Sequence, residues 1–578
     1  MFDKGDHLKS DGDAELVLHL YELFGLKCLH MINGQFAFSI WDTVKKELTL
    51  ARDRVGICPL YYSLTVGGLA FASEMKALFE YPHVTPKISS SALTQITTFW
   101  TTLTPKTIFE GVSELSPGHT LKVSSAGLRI ESYWEYPVYM PEEYSTDSLV
   151  TSMGLFDELM RDAVAIRTNP GQTYGACLSG GLDSSVIIAY MKKIHPEIPL
   201  DTFSIGFANQ GYDESSYQNI ANEFFRTNPH NLLCHDADIA AHFREVVWHA
   251  ETALLRSAPV PMFLLSQLIE KNHFGTVLTG EGSDEILGGY NIYKEAMIRE
   301  FWAKEPSSNY RPLLLKKLYP YLAQMGDSSE MALKMFFGYK LGETSSPLYS
   351  HLLRWNNSAR IRNYFSHNLK AETADYNPVE ELSEKVRSKL SGVDLLSRAQ
   401  WLEATIFTSG YLLSSQGERM GMAHSVEGRY PFMDHRVIDF CMRLRPSYKL
   451  KGLEEKYLLK KLMSDRLPRE IVARRKQPYR APVASSFGQT YLSGSLQELL
   501  AKEKIVATGI FDYEKVKMLL DKMKLMQHIT EIDGMAFLAI LSTQILNSCF
   551  VERSVPPLRE SELVPLNRVV FAGKHQNA

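Results

Sequence analysis

CLSGGLDSSV, residues 177–186, places two glycines, an aspartate and two serines at the end of an apolar run. TYGACLS upstream reads as a short buried strand, and DSSVIIAYMKKI downstream has the apolar spacing of a helix. The segment therefore lies at a strand-to-helix turn, where successive backbone N–H groups and the helix dipole form an anion cradle. Gly180 and Gly181 let an anion approach the backbone, while Ser184 and Ser185 offer hydroxyl donors. A Walker loop would need G-x-x-x-x-G-K-[ST], whose lysine reaches the outer phosphates, and the chain has none. Asp183 suits magnesium, which takes carboxylates together with phosphate oxygens. The plainer alternative is a tight turn with a capping Asp or Ser.

The texture changes along the chain. Over residues 1–135, short apolar runs such as GQFAFSIWD, ELTLA, PLYYSL and GLAFAS are punctuated by Gly, Pro and Asp, the pattern of a β-rich unit. One helix is expected before them, at DAELVLHLYELFG. PVYMPEEYSTDS, from residue 137, reads as a linker. After it come a helix at SLVTSMGLFDELMRDAVAIR and buried strands at DTFSIGF and GTVLT, separated by helical stretches. Strands alternating with helices predict an α/β unit with a parallel sheet covered on both faces. Residues 295–410 and 435–555 are almost entirely helical in pattern, and no repeat or low-complexity segment is present.

At 578 residues the chain is too long for one ordinary core. Its 62 basic and 66 acidic side chains give a net charge of −4, which supports neither a nucleic-acid nor an anionic-membrane surface. The six cysteines, Cys28, Cys58, Cys177, Cys234, Cys441 and Cys549, form no CxxC pair, so a reducing cytoplasm fits better than a disulfide or zinc framework. MFDKGDHLKSDGD has no signal-peptide pattern. The longest uncharged stretch, 534–551, carries five polar side chains and is expected as a buried core helix rather than a membrane span.

SGGLDSS resembles the pyrophosphate loop of the N-type ATP pyrophosphatases, which cleave ATP between its α- and β-phosphates. Three further motifs narrow the likeness: VLTGEGSDEILGGY at 277–290, GERMGMAHSVEGRYPFMDHR at 417–436, and GLEEKYLLKKLM followed by RRKQPYRAP. In this order they are similar to the signature of glutamine-dependent asparagine synthetases. Gly280-x-Gly282 is not a dinucleotide fingerprint, because the sixth position is Glu285. Glu281 and Asp284 beside ATP call for a cation between them, although an acidic helix N-terminus is the simpler reading.

The resemblance implies roles for individual residues. Leu178, Ser179, Gly180, Gly181, Asp183, Ser184, Ser185, Ile205, Thr279 and Gly280 would contact ATP. Asp183 and Asp284 would hold Mg2+ on pyrophosphate, Glu281 would serve the acyl-adenylate and its attack by ammonia, and Lys456 would neutralise the departing pyrophosphate. Read alone, Leu178 and Ile205 are core residues, and Lys456 is a surface lysine on an amphipathic helix. Glu427, Arg429 and Asp434 read as a buried ionic network, with Glu427 the candidate exception.

Residues 1–140 resemble the later part of a class II glutamine amidotransferase domain, an N-terminal-nucleophile fold, and 149–555 the synthetase domain. INGQFAFSIWD, ARDRVGICPLYY, FASEMKAL and LSPGHTLKV carry the N-terminal likeness. SDGDAELVLHLY matches the segment that binds the glutamine amino group, which points to Asp13; on its own Asp13 reads as a helix cap. The family's N-terminal cysteine nucleophile is replaced here by Phe2, and the glutamine-holding loops have no counterpart. By resemblance roughly 80–100 residues would be absent, the size of a sheet rather than a tail. The expected reaction is ATP-dependent conversion of aspartate to asparagine through an aspartyl-adenylate, with free ammonia in place of glutamine for this chain. Two rivals stay open: amidation of another carboxylate, and a non-catalytic ATP-binding relative. The expected partners are small-molecule substrates, without nucleic acid or membrane, and a homodimer is compatible with the resemblance.

Overall fold

A computed structural model describes residues 12–552 apart from 66–67, 169–170, 172, 320–327, 478, 489–494 and 526–528. Phe2 lies outside the described residues. The N-terminal helix spans Asp13–Phe24, as the apolar spacing predicts. Gly12 occupies its N-cap, so Asp13 is not the cap; it sits exposed in the first turn.

The β-rich unit contains two antiparallel sheets. Strands β1 (Ala37–Asp42), β2 (Glu47–Arg52), β6 (His119–Ser124) and β7 (Gly127–Ser132) form the first, in the order β1-β2-β6-β7. Strands β3 (Tyr61–Thr65), β4 (Gly68–Ala72) and β5 (Ser113–Glu114) form the second, with β3 central. The buried Arg52 ties the two together, because it reaches the carbonyls of Gly56, Cys58 and Leu115 and the carboxylate of Glu114.

Past the linker, strands β8 (Gly175–Cys177), β9 (Asp201–Phe207), β10 (Asn228–Cys234), β11 (Thr276–Leu278) and β12 (Glu427–Arg429) form one wholly parallel sheet. Their order is β10-β9-β8-β11-β12. The chain first winds outward from β8 to β10, then returns to the other side of β8. The reversal between β8 and β11 is a topological switch point, and ligands of open α/β sheets bind beyond the carboxyl ends of such strands. CLSGGLDSS and LTGEGSDE leave those two ends.

Three predicted strands of this sheet are present, and two more were not anticipated. β10 begins Asn228-Pro229, and a proline argues against a strand except at an edge, which is where β10 lies. β12 is Glu-Gly-Arg and has no apolar pattern; it pairs only with β11. The apolar C-terminal segment is the helix Glu531–Leu546, continued by a π-turn to Val551. It is the one described helix long and apolar enough to cross a bilayer, and most of it is buried in the core. Ser542 there accepts from the Leu254 amide at 2.9 Å, so its hydroxyl is satisfied internally.

The two halves share packing. Phe79 and Phe109 from the β-rich half are edge-on to Phe550 of the C-terminal helix. Beside them, Glu251 is fully buried and caps Met75 and Lys76, accepting from both amides at 2.8 Å. The same carboxylate accepts from Arg419 at 3.0 Å.

Candidate active site

Loop 178–181 is held by its neighbour strand. The Leu178 amide donates to Phe203 at 2.9 Å, and Ser204 donates its hydroxyl to the Leu178 carbonyl at 2.7 Å. Gly180 has φ +72°, and a Cβ there would lie 2.7 Å from the Gln218 amide nitrogen, so both conformation and space require glycine. Gly181 is the N-cap of helix Leu182–Ile194, whose first turn contains Asp183. The serine hydroxyls bond within the loop. Ser185 is fully buried and donates to the Gly181 carbonyl at 2.8 Å, while Ser184 and Ser179 bond each other at 3.1 Å. These bonds shape the turn.

The second loop starts at Thr279, whose amide donates to Arg429 of β12 at 3.0 Å. Gly282, at φ +99°, caps the short helix Ser283–Leu287 that carries Asp284. Gly280 packs directly on the first loop: a Cβ would meet the Asp183 carbonyl carbon and the Ser184 amide, each at 2.7 Å. The sequence suggested that Gly280 makes room for a ligand; the structure shows that it also makes room for the other loop. Backbone atoms cannot step aside, so Gly280→Ala should separate the loops. We expect about 1–3 kcal/mol of destabilisation, read as a lower melting temperature, with a raised KM for ATP.

Between the loops, charges of opposite sign converge. Lys456 Nζ lies 2.5 Å from Asp183 Oδ1 and 2.6 Å from Asp284 Oδ1. Lys476 Nζ is 2.6 Å from Asp284 Oδ2 and 3.7 Å from Asp183 Oδ2. Burial raises the Asp284 carboxyl, but the two lysines outweigh it and bring its pKa down to about 2. Lys476, whose side chain is partly exposed, is held charged by Asp284 and Asp183, against the effect of partial burial. Glu281 shifts the other way, raised by burial and by Asp284 and Asp183 although Lys476 opposes this. The surface reading of Lys456 is overturned. Its side chain is only 3% exposed, and at φ 53° it precedes helix Tyr457–Met463 in a left-handed conformation.

Asp183, Asp284, Glu281 and Lys476 border a cavity of about 410 Å3. Leu178, Ser179, Asp183, Ser184, Ile205 and Thr279 line it, as do Gly280, Glu281 and Asp284. Gly180 and Ser185 stand behind its wall, and Gly181 faces a smaller neighbouring cavity with Lys456. The far wall combines Met262, Leu265, Ile269 and Val426 with Gln416 and Glu418. Those last two end a π-wound segment, Glu403–Glu418. Burial, with Asp53 and Glu427 nearby, pushes the Glu418 carboxyl up to about 8.

Asp13 lies in the N-terminal helix and outside this cavity. Arg167 joins Arg429 to Asp434: its carbonyl accepts from Arg429 at 2.8 Å and its guanidinium pairs with Asp434 at 3.0 Å. Asp434 is fully buried with Arg167, Arg436 and Asn33, whereas Glu427 is about half exposed and pairs with Arg429. Glu427 and Arg429, two residues apart on β12, meet along the strand, and Glu427 is the exception to burial that the sequence allowed for. Lys476 is the main residue that sequence reasoning missed. Its signal was the basic run RRKQPYR, which carries the family likeness without showing which cation turns inward.

A five-stranded parallel sheet with a glycine-rich loop and an acid–lysine quartet at its switch point fits an α/β fold of the ATP pyrophosphatase type. Residues 155–542 match the asparagine synthase family model, and residues 1–134 match a glutamine amidotransferase domain. The chain belongs to the asparagine synthase family and is an asparagine-synthetase-type ligase. It is 27% identical over 485 residues to a glutamine-hydrolysing asparagine synthetase of Bacillus subtilis, covering 83% of this chain and 73% of that one. It is also 26% identical over 540 residues to the amidase chyE of Penicillium rubens, covering 88% and 78%. A putative asparagine synthetase of Methanocaldococcus jannaschii is 30% identical over 298 residues, 51% of this chain and 57% of that one.

Proposed function

We propose that the chain adenylates the side-chain carboxylate of aspartate with ATP and converts the aspartyl-adenylate to asparagine with ammonia. The observation that carries this reading is the meeting of Asp183, Asp284, Lys456 and Lys476 at the cavity edge, beside Glu281. A carboxylate oxygen attacks the α-phosphorus, the bond to the β-phosphate oxygen breaks, and pyrophosphate leaves. Ammonia then attacks the acyl carbon, AMP departs, and Glu281 takes the proton that the new amide nitrogen sheds. Leu178, Ile205, Thr279 and Gly280 contact the nucleotide, and Ser179, Gly180, Gly181, Ser184 and Ser185 form the phosphate cradle. Lys456 and Lys476 balance the charge that builds on the leaving group. The division that goes with this reading is a glutaminase-type unit over 1–140 and a synthetase unit over 149–555.

Mg2+ fits the donors present. Asp183 and Asp284 are hard oxygen ligands gathered on one ammonium group, so they lie near enough to share an ion. Among the described residues no group of three or more His, Cys, Asp or Glu could hold a metal alone, which suits an ion completed by phosphate oxygens and water. When bound, Mg2+ supplies charge neutralisation on the pyrophosphate group.

The apolar far wall and the amidase relative favour a second reading, in which the acceptor is a larger carboxylic acid. ATP–pyrophosphate exchange with a panel of carboxylic acids separates the two. Exchange dependent on aspartate supports the first, exchange with a bulkier acid the second, and none with any acid contradicts both.

Ammonia is the direct nitrogen donor in this reading. Burial raises Cys28 and Cys549, brings Cys177 and Cys234 up to about 12, and pushes Cys58 and Cys441 higher still. None of the six thiols is poised as a thiolate toward glutamine. The purified chain should therefore make amide with ammonium, increasingly as higher pH frees NH3, and release no glutamate from glutamine. Glutamate production at an enzymatic rate would contradict this.

A further inference from the structure

Beside the main cavity lies a second, narrower one of about 50 Å3. The two share Ser179, Asp183, Glu214, Lys476 and Gln477, so both touch the place where the β- and γ-phosphates are expected. Their linings differ in charge. The main cavity is walled by apolar side chains, by five carboxylates (Asp183, Glu214, Glu281, Asp284 and Glu418) and by two cations, Lys476 and Arg480. Five cations, Lys456, Lys460, Arg474, Arg475 and Lys476, face the small one against three carboxylates, Asp183, Glu214 and Glu455, so cations are in excess there. We infer that pyrophosphate leaves through this small basic chamber, with Lys460 and Arg475 as the residues that receive it. The inference rests on the ATP-cleaving reaction proposed above.

Two physical requirements meet here. A polyanion moves out along cations more readily than past carboxylates and apolar wall. The acyl-adenylate left behind must also stay out of water, which a separate exit permits without opening the main cavity.

The cations of the chamber are held unequally. Arg474 is fixed: it pairs with Glu214, donates to the Gly180 carbonyl at 3.2 Å and lies 4.0 Å over the Tyr217 ring. Lys456 and Lys476 are occupied by Asp183 and Asp284. Lys460 is different. It lies 2.9 Å from Glu455 Oε1, while Lys294 holds the other oxygen of that carboxylate at 2.8 Å. Glu455 therefore keeps a buried counter-ion when Lys460 turns to an incoming anion. Arg475 is exposed and donates to the Lys317 carbonyl at 3.5 Å, a long contact that an anion can displace.

The test is product inhibition by pyrophosphate in the full chain, comparing wild type with Lys460→Gln, Arg475→Gln and the double variant. Loss of two charge-assisted contacts should raise the inhibition constant for pyrophosphate about tenfold or more. The KM for ATP and the single-turnover rate of adenylate formation should stay at wild-type values. The single variants guard against a folding defect in the double, and each is checked by thermal melting. An unchanged inhibition constant in folded variants would overturn the inference. So would an equal rise in the KM for ATP, which would place both residues in ordinary ATP binding. Absence of carboxylate-dependent exchange in the wild type would instead remove the reaction on which the inference rests.

Discussion

Glu281→Gln should leave the fold and ATP binding intact and lower amide formation about 10²–10³-fold, the usual cost of removing one charged group from a transition state. The substitution keeps the shape of the residue and its one hydrogen bond among the described residues, from the Glu281 amide to the Thr279 hydroxyl at 3.3 Å. It removes the carboxylate that stands on the cavity wall beside Asp284 and Lys476. Lys456→Ala should lose activity to a similar degree, but with a second symptom. Without that ammonium, Asp183 and Asp284 share only Lys476, so the ligand-free variant should melt lower and regain stability with Mg-ATP. Steady-state kinetics and melting curves with and without nucleotide separate the two cases. Amide formation near wild type in both variants would make the residues structural.

Glu251→Ala should cost about 3–5 kcal/mol, because it leaves Arg419 charged and buried without its main partner. Arg419 is 1% exposed, and Tyr61, Glu251 and Glu74 raise its pKa despite burial. The change also frees the Met75 and Lys76 amides that Glu251 accepts from. Both losses fall where the β-rich half meets the synthetase half, so proteolysis within 1–135 should become faster at temperatures where the wild type resists. Glu251→Gln should be milder, since an amide oxygen still accepts from the backbone. Equal stability of Glu251→Ala and wild type would show that the contact holds nothing together.

How much of this was legible in the sequence depended on how local each signal was. The loop at 178–185 could be read because strand, glycine pair and helix follow one another in the chain and each has its own pattern. Asp284 and Glu281 could be read as a place for a cation because three carboxylates within five residues are unusual near a glycine turn. Lys456 could not be placed from periodicity: YLLKKLM reads as an amphipathic helix, and only the left-handed backbone before it turns the lysine inward. β12 has no pattern because its three residues are defined by pairing with β11, some 150 positions away. Glu251 likewise has no sequence signal, since its partners are two amides and a lysine of a short helix some 175 positions back and an arginine 168 positions on. Glu427, the candidate exception in the sequence, is about half exposed on β12, whereas the link from Arg429 to Asp434 runs through Arg167, 262 positions from Arg429, and no local pattern shows it.

The central claim is that a substrate carboxylate attacks the α-phosphate. Aspartate labelled with 18O in its side-chain carboxylate, incubated with ATP, Mg2+ and ammonium, tests it directly. The account predicts that one labelled oxygen per turnover appears in AMP and that pyrophosphate carries none. Label in inorganic phosphate alongside ADP would mean activation at the γ-phosphate and would contradict the reading of the loop, its two aspartates and its two lysines together.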